Sequence, residues 1–210
     1  MNIVITEPMT MLTDYLITIE TFIFAGLLIR SKSKSKSLSL WIAAFFSVGV
    51  AALCGGTYHG FAFYLQDSTS AILWMGVTYS LSLSSFLMLW ATVINFIPSK
   101  FHKFSLTLVG FKSLLYLYLA RQKDDFRYIL ADYMSASVAI LVIVIFAFYT
   151  KKQPSAIFFI TGIIILFIAG GVQQSGIILA RNFNYNDLSH IISMVAFYLL
   201  YKGCYLHNHG

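Results

Sequence analysis

Seven stretches of the chain are almost continuously apolar and are separated by short polar segments: residues 12–29, 40–65, 71–97, 104–120, 128–150, 156–180 and 188–206. A helix needs about 20 residues to cross a hydrocarbon core of ~30 Å. Barrel strands would be shorter and would alternate apolar with polar positions, which these stretches do not. Pro8, Pro98 and Pro154 all fall outside the seven stretches, where a missing amide donor disrupts no helix. The pattern predicts an all-α membrane protein, a single seven-helix transmembrane domain that fills residues 1–210 with no soluble domain or linker. The fourth stretch is the shortest, and it carries Lys112.

Composition strengthens this reading. Charged residues make up only 10% of the chain and hydrophobic residues 59%, with a mean hydropathy of +0.78. A soluble domain carries roughly 25% charged residues, too many to be reconciled with this sequence. The segment before the first stretch lacks a basic region, and that stretch is preceded by Glu7 and contains Asp14, so no cleavable signal peptide is expected.

The net charge of +6 has a directional distribution. Arg30, Lys32, Lys34 and Lys36 follow the first stretch, Lys100 and Lys103 the third, Lys151 and Lys152 the fifth, and Lys202 ends the seventh. The opposite loops hold Arg121, Lys123, Arg127 and Arg181, offset by Asp124 and Asp125. The positive-inside rule places the first group in the cytoplasm, with the N-terminus outside and the C-terminus inside a plasma or inner membrane. The SKSKSKS tract reads as a solvated loop beside anionic lipid. No basic face with interleaved aromatics lies outside the apolar stretches, which argues against a nucleic-acid partner. The expected surroundings are membrane lipids.

On this topology several polar residues share the outer depth of the membrane. Asp14 opens the first stretch, His59 lies near the outer end of the second, and Asp132 occupies the outer part of the fifth. Gln173 and Gln174 fall in the outer half of the sixth, and Asp187 and His190 open the seventh. Polar groups at membrane depth are unfavourable, face the bundle interior and mark function. Asp187 and His190 are three apart, so they stand on one helix face. With His59 they offer N, N and O ligands, the three-ligand open arrangement of a catalytic zinc. Asp14 then either orients His59 or acts as general base on the bound water, and Asp132 is a second candidate for those roles. Simpler readings stand beside these. Asp187 after Asn184, Tyr185 and Asn186 suits a helix cap, and Asp14 suits a first-turn carboxylate favoured by the helix dipole.

Glu20 and Lys112 are charges near mid-depth, and a salt bridge between them would lower the burial penalty of both. Gly55, Gly56 and Gly60 surround His59, and Gly170, Gly171 and Gly176 surround the glutamines, allowing close helix approach. Cys54 and Cys204 are too far apart in this arrangement to pair. His102, His207 and His209 fall on the cytoplasmic side as surface residues.

The segments GGTYHGF, with His59, and NDLSHIISMVAFYLLYKG, with His190, resemble two motifs of the CREST superfamily of seven-helix membrane hydrolases. That superfamily includes the alkaline ceramidases and the adiponectin-type receptors, and this chain looks like a divergent, bacterial-type member. The segment TEPMTMLTDYLITIE is placed like the acidic N-terminal segment of the ceramidases. The resemblance implies a zinc-dependent amidase or esterase. It departs at two positions: Asn186 stands where the family has its other seventh-helix histidine, and Gly55 where it has a serine. Two functions are therefore expected. One is a metal-dependent hydrolase cleaving an amide or ester of a lipid-like substrate. The other is a non-catalytic bundle that binds or transports a small ligand or proton.

Overall fold

The computed structural model describes residues 4–31, 33–123 and 127–209, and the expectations for Lys32, Asp124, Asp125 and the side chains of Lys123 and His209 fall outside what it describes. Seven helices account for most of the described chain: α1 (Pro8–Ile29), α2 (Lys36–Phe61), α3 (Asp67–Phe96), α4 (His102–Lys123), α5 (Arg127–Lys151), α6 (Ala156–Gln174) and α7 (Tyr185–His209). A short antiparallel hairpin, β1 (Ile178–Ala180) and β2 (Phe183–Asn184), joins α6 to α7. The expected stretches correspond to these helices one for one. Helices α1, α2, α3, α5 and α6 are long and apolar enough to cross a membrane. Helices α4 and α7 reach similar lengths, 22 and 25 residues, but are more polar.

The largest departure from expectation is the end of α6. The apolar run continues to residue 180, but the helix stops at Gln174, because Ser175 caps it and Gly176 adopts φ +68°. A positive φ suits glycine and breaks helical hydrogen bonding. Ile177, Ile178 and Leu179 are exposed beyond the helix end. Pro8 lies within the first turn of α1, where its absent N–H has no helical partner to lose.

Helices α1, α2, α3, α5, α6 and α7 pack in sequence as a closed ring, and α4 lies outside it against α3 and α5. At one end of the ring Ser37 bonds the carbonyl of Ala91, Lys151 bonds that of Phe96, Ser155 meets His207, and Ser35 bonds Asn208. His207 is accordingly half-buried, with its ring on Phe96, and is not a plain surface residue. This end holds Trp41, Phe45, Phe159 and Leu200, all fully buried, with Trp41 and Phe159 5.4 Å apart. Cys54 and Cys204 are free.

The seam between α1 and α7 sets the opposite end. The two helices run parallel, and Thr10–Asp187 and Thr13–His190 pair at one offset of 177 residues. The stacked Phe24 and Tyr201, 4.6 Å apart, continue that register toward the aromatic end.

An ion pair fastens helix α4. Lys112 Nζ lies 2.8 Å from Asp132 Oδ1 and donates to the Asp132 carbonyl at 2.9 Å and to Ser85 Oγ at 3.2 Å. This corrects two expectations: Lys112 pairs with Asp132 and not with Glu20, and Asp132 serves α4 docking and not the histidines. The reason is placement, because Lys112 reaches inward between α3 and α5 while Glu20 lies on α1, which packs against α2 and α7. Asp132 is fully buried. Removing one member of such a pair strands the other charge, at roughly 3–5 kcal/mol. Asp132→Ala should therefore lower thermal stability strongly, and the Lys112→Met, Asp132→Leu double variant should recover most of the loss. Thermal unfolding in detergent checks both.

Candidate functional site

The polar end of the ring is organised by threonines on α1. In the run TMLTDYLITIET, Thr10, Thr13, Thr18 and Thr21 are all buried, forming a hydroxyl stripe along the helix. Thr18 and Thr21 return their hydroxyls to helix carbonyls, and Thr18 also bonds the carbonyl of Gly49 on α2. Thr10 and Thr13 instead turn toward α7.

Thr10 Oγ1 donates to Asp187 Oδ1 at 2.8 Å, and the backbone N–H of Asn184 donates to Asp187 Oδ2 at 2.7 Å. Asn184 in turn accepts from the amide of Asn186 at 2.7 Å. This reciprocal pattern is a capping box: the side chain before the helix satisfies an early amide, and the acid three residues on reaches back. Asp187 is fully buried, and both its oxygens serve this local structure. The sequence suggested Asp187 itself as the cap, whereas Asn184 holds the cap position and Asp187 is the acid that reaches back to it.

His190, one turn further along α7, faces the interior. Its Nδ1 is 2.9 Å from Thr13 Oγ1, and its Nε2 is 3.7 Å from Asp14 Oδ1. The second separation exceeds a direct hydrogen bond and matches a gap bridged by water or a ligand atom. Thr13 is 3.1 Å from the carbonyl of Thr10. If its hydroxyl donates there, His190 Nδ1 carries the proton; if it donates to Nδ1, the ring proton sits on Nε2 and faces Asp14.

Asp14 owes its position to two glycines on α2. A β-carbon at Gly56 would lie 2.9 Å from Asp14 Cβ, and one at Gly55 3.3 Å from Asp14 Oδ2. Larger residues there would push α1 away and withdraw the carboxylate. Gly55 and Gly56 are thus the residues against which Asp14 packs.

Asp14, His59, Gln173, His190 and Ser193 line one cavity of about 190 Å³ whose deeper wall is apolar, with Ile17, Val48 and Phe197. A second cavity of about 170 Å³ adjoins it between α5, α6 and α7, and Gln173, His190 and Ser193 belong to both. His59 Nδ1 is 3.3 Å from Glu7 Oε2, within ion-pair reach but without hydrogen-bond alignment. The chain entering α1 is tied to this end of α2, since Thr6 N–H donates to the Gly60 carbonyl and Glu7 N–H to that of His59.

The expected ligand set of His59, Asp187 and His190 does not fit a metal ion. Asp187 is committed to Thr10 and Asn184 and is not part of the cavity wall. His59 turns toward Glu7, and among the described residues no group of three or more His, Cys, Asp or Glu is arranged to hold a metal. The site joins Asp14, His59 and His190, and leaves out Asp187, Asp132 and Glu20. The sequence reading passed over Thr10, Thr13 and Ser193. The threonine spacing along α1 was the available signal for the first two, while Ser193 had none beyond lying three residues from His190.

A family profile described as "Family of unknown function (DUF6962)" matches residues 9–208. No curated protein and no solved structure matches the chain.

Replacing Asp187 removes acceptors from a buried hydroxyl and an amide, each loss worth about 1–3 kcal/mol. Asp187→Ala should lower the unfolding midpoint equally with and without a chelator. A chelator-dependent loss would instead mark Asp187 as a metal ligand.

Proposed function

This chain belongs to the family of unknown function DUF6962, and for it we propose an intramembrane hydrolase that cleaves an ester or amide of an amphiphilic, lipid-like molecule by acid–base chemistry at Asp14 and His190. One observation carries the reading. Asp14 and His190 face each other across 3.7 Å on the wall of a cavity that is polar at that end and apolar beyond it. A water held in that gap gives up a proton to the Asp14 carboxylate as its oxygen bonds to the acyl carbon. The bond to the leaving oxygen or nitrogen then breaks, and His190 Nε2–H protonates the departing group. The proton on Asp14 returns to His190 and restores the site. Positioned acid–base groups of this kind contribute roughly 10²–10⁴-fold. Thr13 holds the imidazole in place through Nδ1. The resemblance to CREST hydrolases favours the same class through the placement of His59 and His190, and no step here is routed through zinc.

A panel of fluorogenic acyl esters and acyl amides presented in mixed micelles tests this. The wild type should turn over at least one, and Asp14→Asn or His190→Ala should each reduce the rate at least 100-fold, within the acid–base range above. An inactive wild type across the whole panel would sink the proposal.

A second reading, proton-coupled transport, is favoured by Glu20. It lies six residues beyond Asp14 on α1, about 9 Å along the axis, and its Oε2 is buried without a hydrogen-bond partner among the described residues. Uptake into proteoliposomes that depends on a proton gradient and disappears in Glu20→Gln would support transport over hydrolysis.

Both readings take all seven helices as membrane-crossing, with the lysine-rich end in the cytoplasm. A cysteine introduced at Lys34 should then resist an impermeant maleimide on intact cells. One introduced at Asn182, in the hairpin between α6 and α7, should react. The reverse pattern would invert the orientation and place the site on the inner side.

A further inference from the structure

Gln173 and Ser193 stand where the two cavities meet. Gln173 is in the last turn of α6, and Ser193 lies one turn beyond His190 on α7. Both side chains line both cavities. Both are half-buried, and among the described residues no hydrogen bond engages either side chain. Elsewhere in the bundle the interior hydroxyls of Thr10, Thr13, Thr18, Thr21 and Ser189 all have partners. Polar groups at membrane depth that lack partners stand ready for a ligand.

The chemistry of the two side chains limits that ligand. An amide and a hydroxyl offer neutral donors and acceptors and no charge. They match an uncharged polar group such as an amide or ester carbonyl, and they cannot neutralise a carboxylate or phosphate. Neither cavity is lined by lysine or arginine. Beyond the junction the second cavity is mostly apolar, bounded by Ile129, Met134, Leu166 and Gly170, and the hydroxyls of Tyr133 and Ser189 on its wall are engaged with Met88 and Asn186.

We propose that Gln173 and Ser193 are positioning residues that hold the neutral linkage of an uncharged single-chain amphiphile at the cavity junction, with its hydrocarbon in the second cavity between α5 and α6. The proposal rests on the hydrolase reading for its chemistry, since it sets the carbonyl beside His190. It goes beyond that reading in fixing ligand charge and the course of the chain. Gly170 is the specificity position. A β-carbon there would sit 3.5 Å from Met134 Cε, an ordinary contact, so a larger side chain is accommodated by filling the second cavity.

The test is direct binding of dodecanamide carrying a terminal trifluoromethyl group, followed by fluorine NMR on protein in nanodiscs. The matching dodecanoate serves as the anionic control. Wild type should bind the amide at least tenfold more tightly than the carboxylate. The Gln173→Leu, Ser193→Ala double variant should lose on the order of tenfold in amide affinity, as expected for two neutral hydrogen bonds. Gly170→Leu should also lose binding while keeping its unfolding midpoint, which guards against misfolding as the cause. Equal affinity for amide and carboxylate, or unchanged binding in folded Gly170→Leu or the double variant, would overturn the proposal. Binding with these dependences but no turnover by Asp14 and His190 would remove the hydrolase reading and leave this one standing. Turnover indifferent to Gln173, Ser193 and Gly170 would do the opposite.

Discussion

The parallel seam between α1 and α7 is the constraint on which the site depends. Two hydroxyls one turn apart on α1 engage two polar groups one turn apart on α7, at a single offset. A slip of one residue in either helix would break both contacts and rotate Asp14 away from His190. Interhelical hydrogen bonds inside a membrane contribute modestly, about 0.6 kcal/mol on average. Their larger effect is on register, because the alternative is a buried polar group without a partner. The stacked Phe24 and Tyr201 hold the same register toward the other end through apolar contact.

The bundle divides its labour along its length. One end is packed with large buried aromatics around Trp41 and Phe159. The other end exchanges bulk for glycines and threonines, and the space this leaves becomes the two cavities. Gly55 and Gly56 admit α1 closely enough to seat Asp14, and the capping box at Asp187 fixes the angle at which α7 begins. A carboxylate used for structure and a carboxylate open to a cavity thus stand on neighbouring helices. Their hydrogen-bond partners, not their residue type, separate the two roles.

Much of the helical framework was legible in the chain. Seven apolar runs correspond to seven helices, and Pro98 and Pro154 lie between them. The end of α6 was not legible, since the apolar run passes through Gly176 without a change in hydropathy. Residues of the site were legible in part. Asp14, His59, Gln173 and His190 share one cavity as their common depth suggested. Asp187 shares the depth and the helix face but not the cavity, because Thr10 and Asn184 claim its oxygens. Lys112 found Asp132 because α4 lies outside the ring, a fact of packing order that no linear pattern carries.

The sequence alone determined the number of helices and the unequal charge of the loops, since both follow from the free energy of placing side chains in lipid or water. It also determined which residues would be unfavourable in lipid and so face inward. Tertiary structure decided how those inward polar groups paired. A carboxylate in an apolar bundle accepts whichever donors lie within about 3 Å, and that distance is set by helix register and glycine contacts. For that reason Asp187 became part of a capping box, Asp132 an anchor for α4, and Asp14 the carboxylate that faces His190.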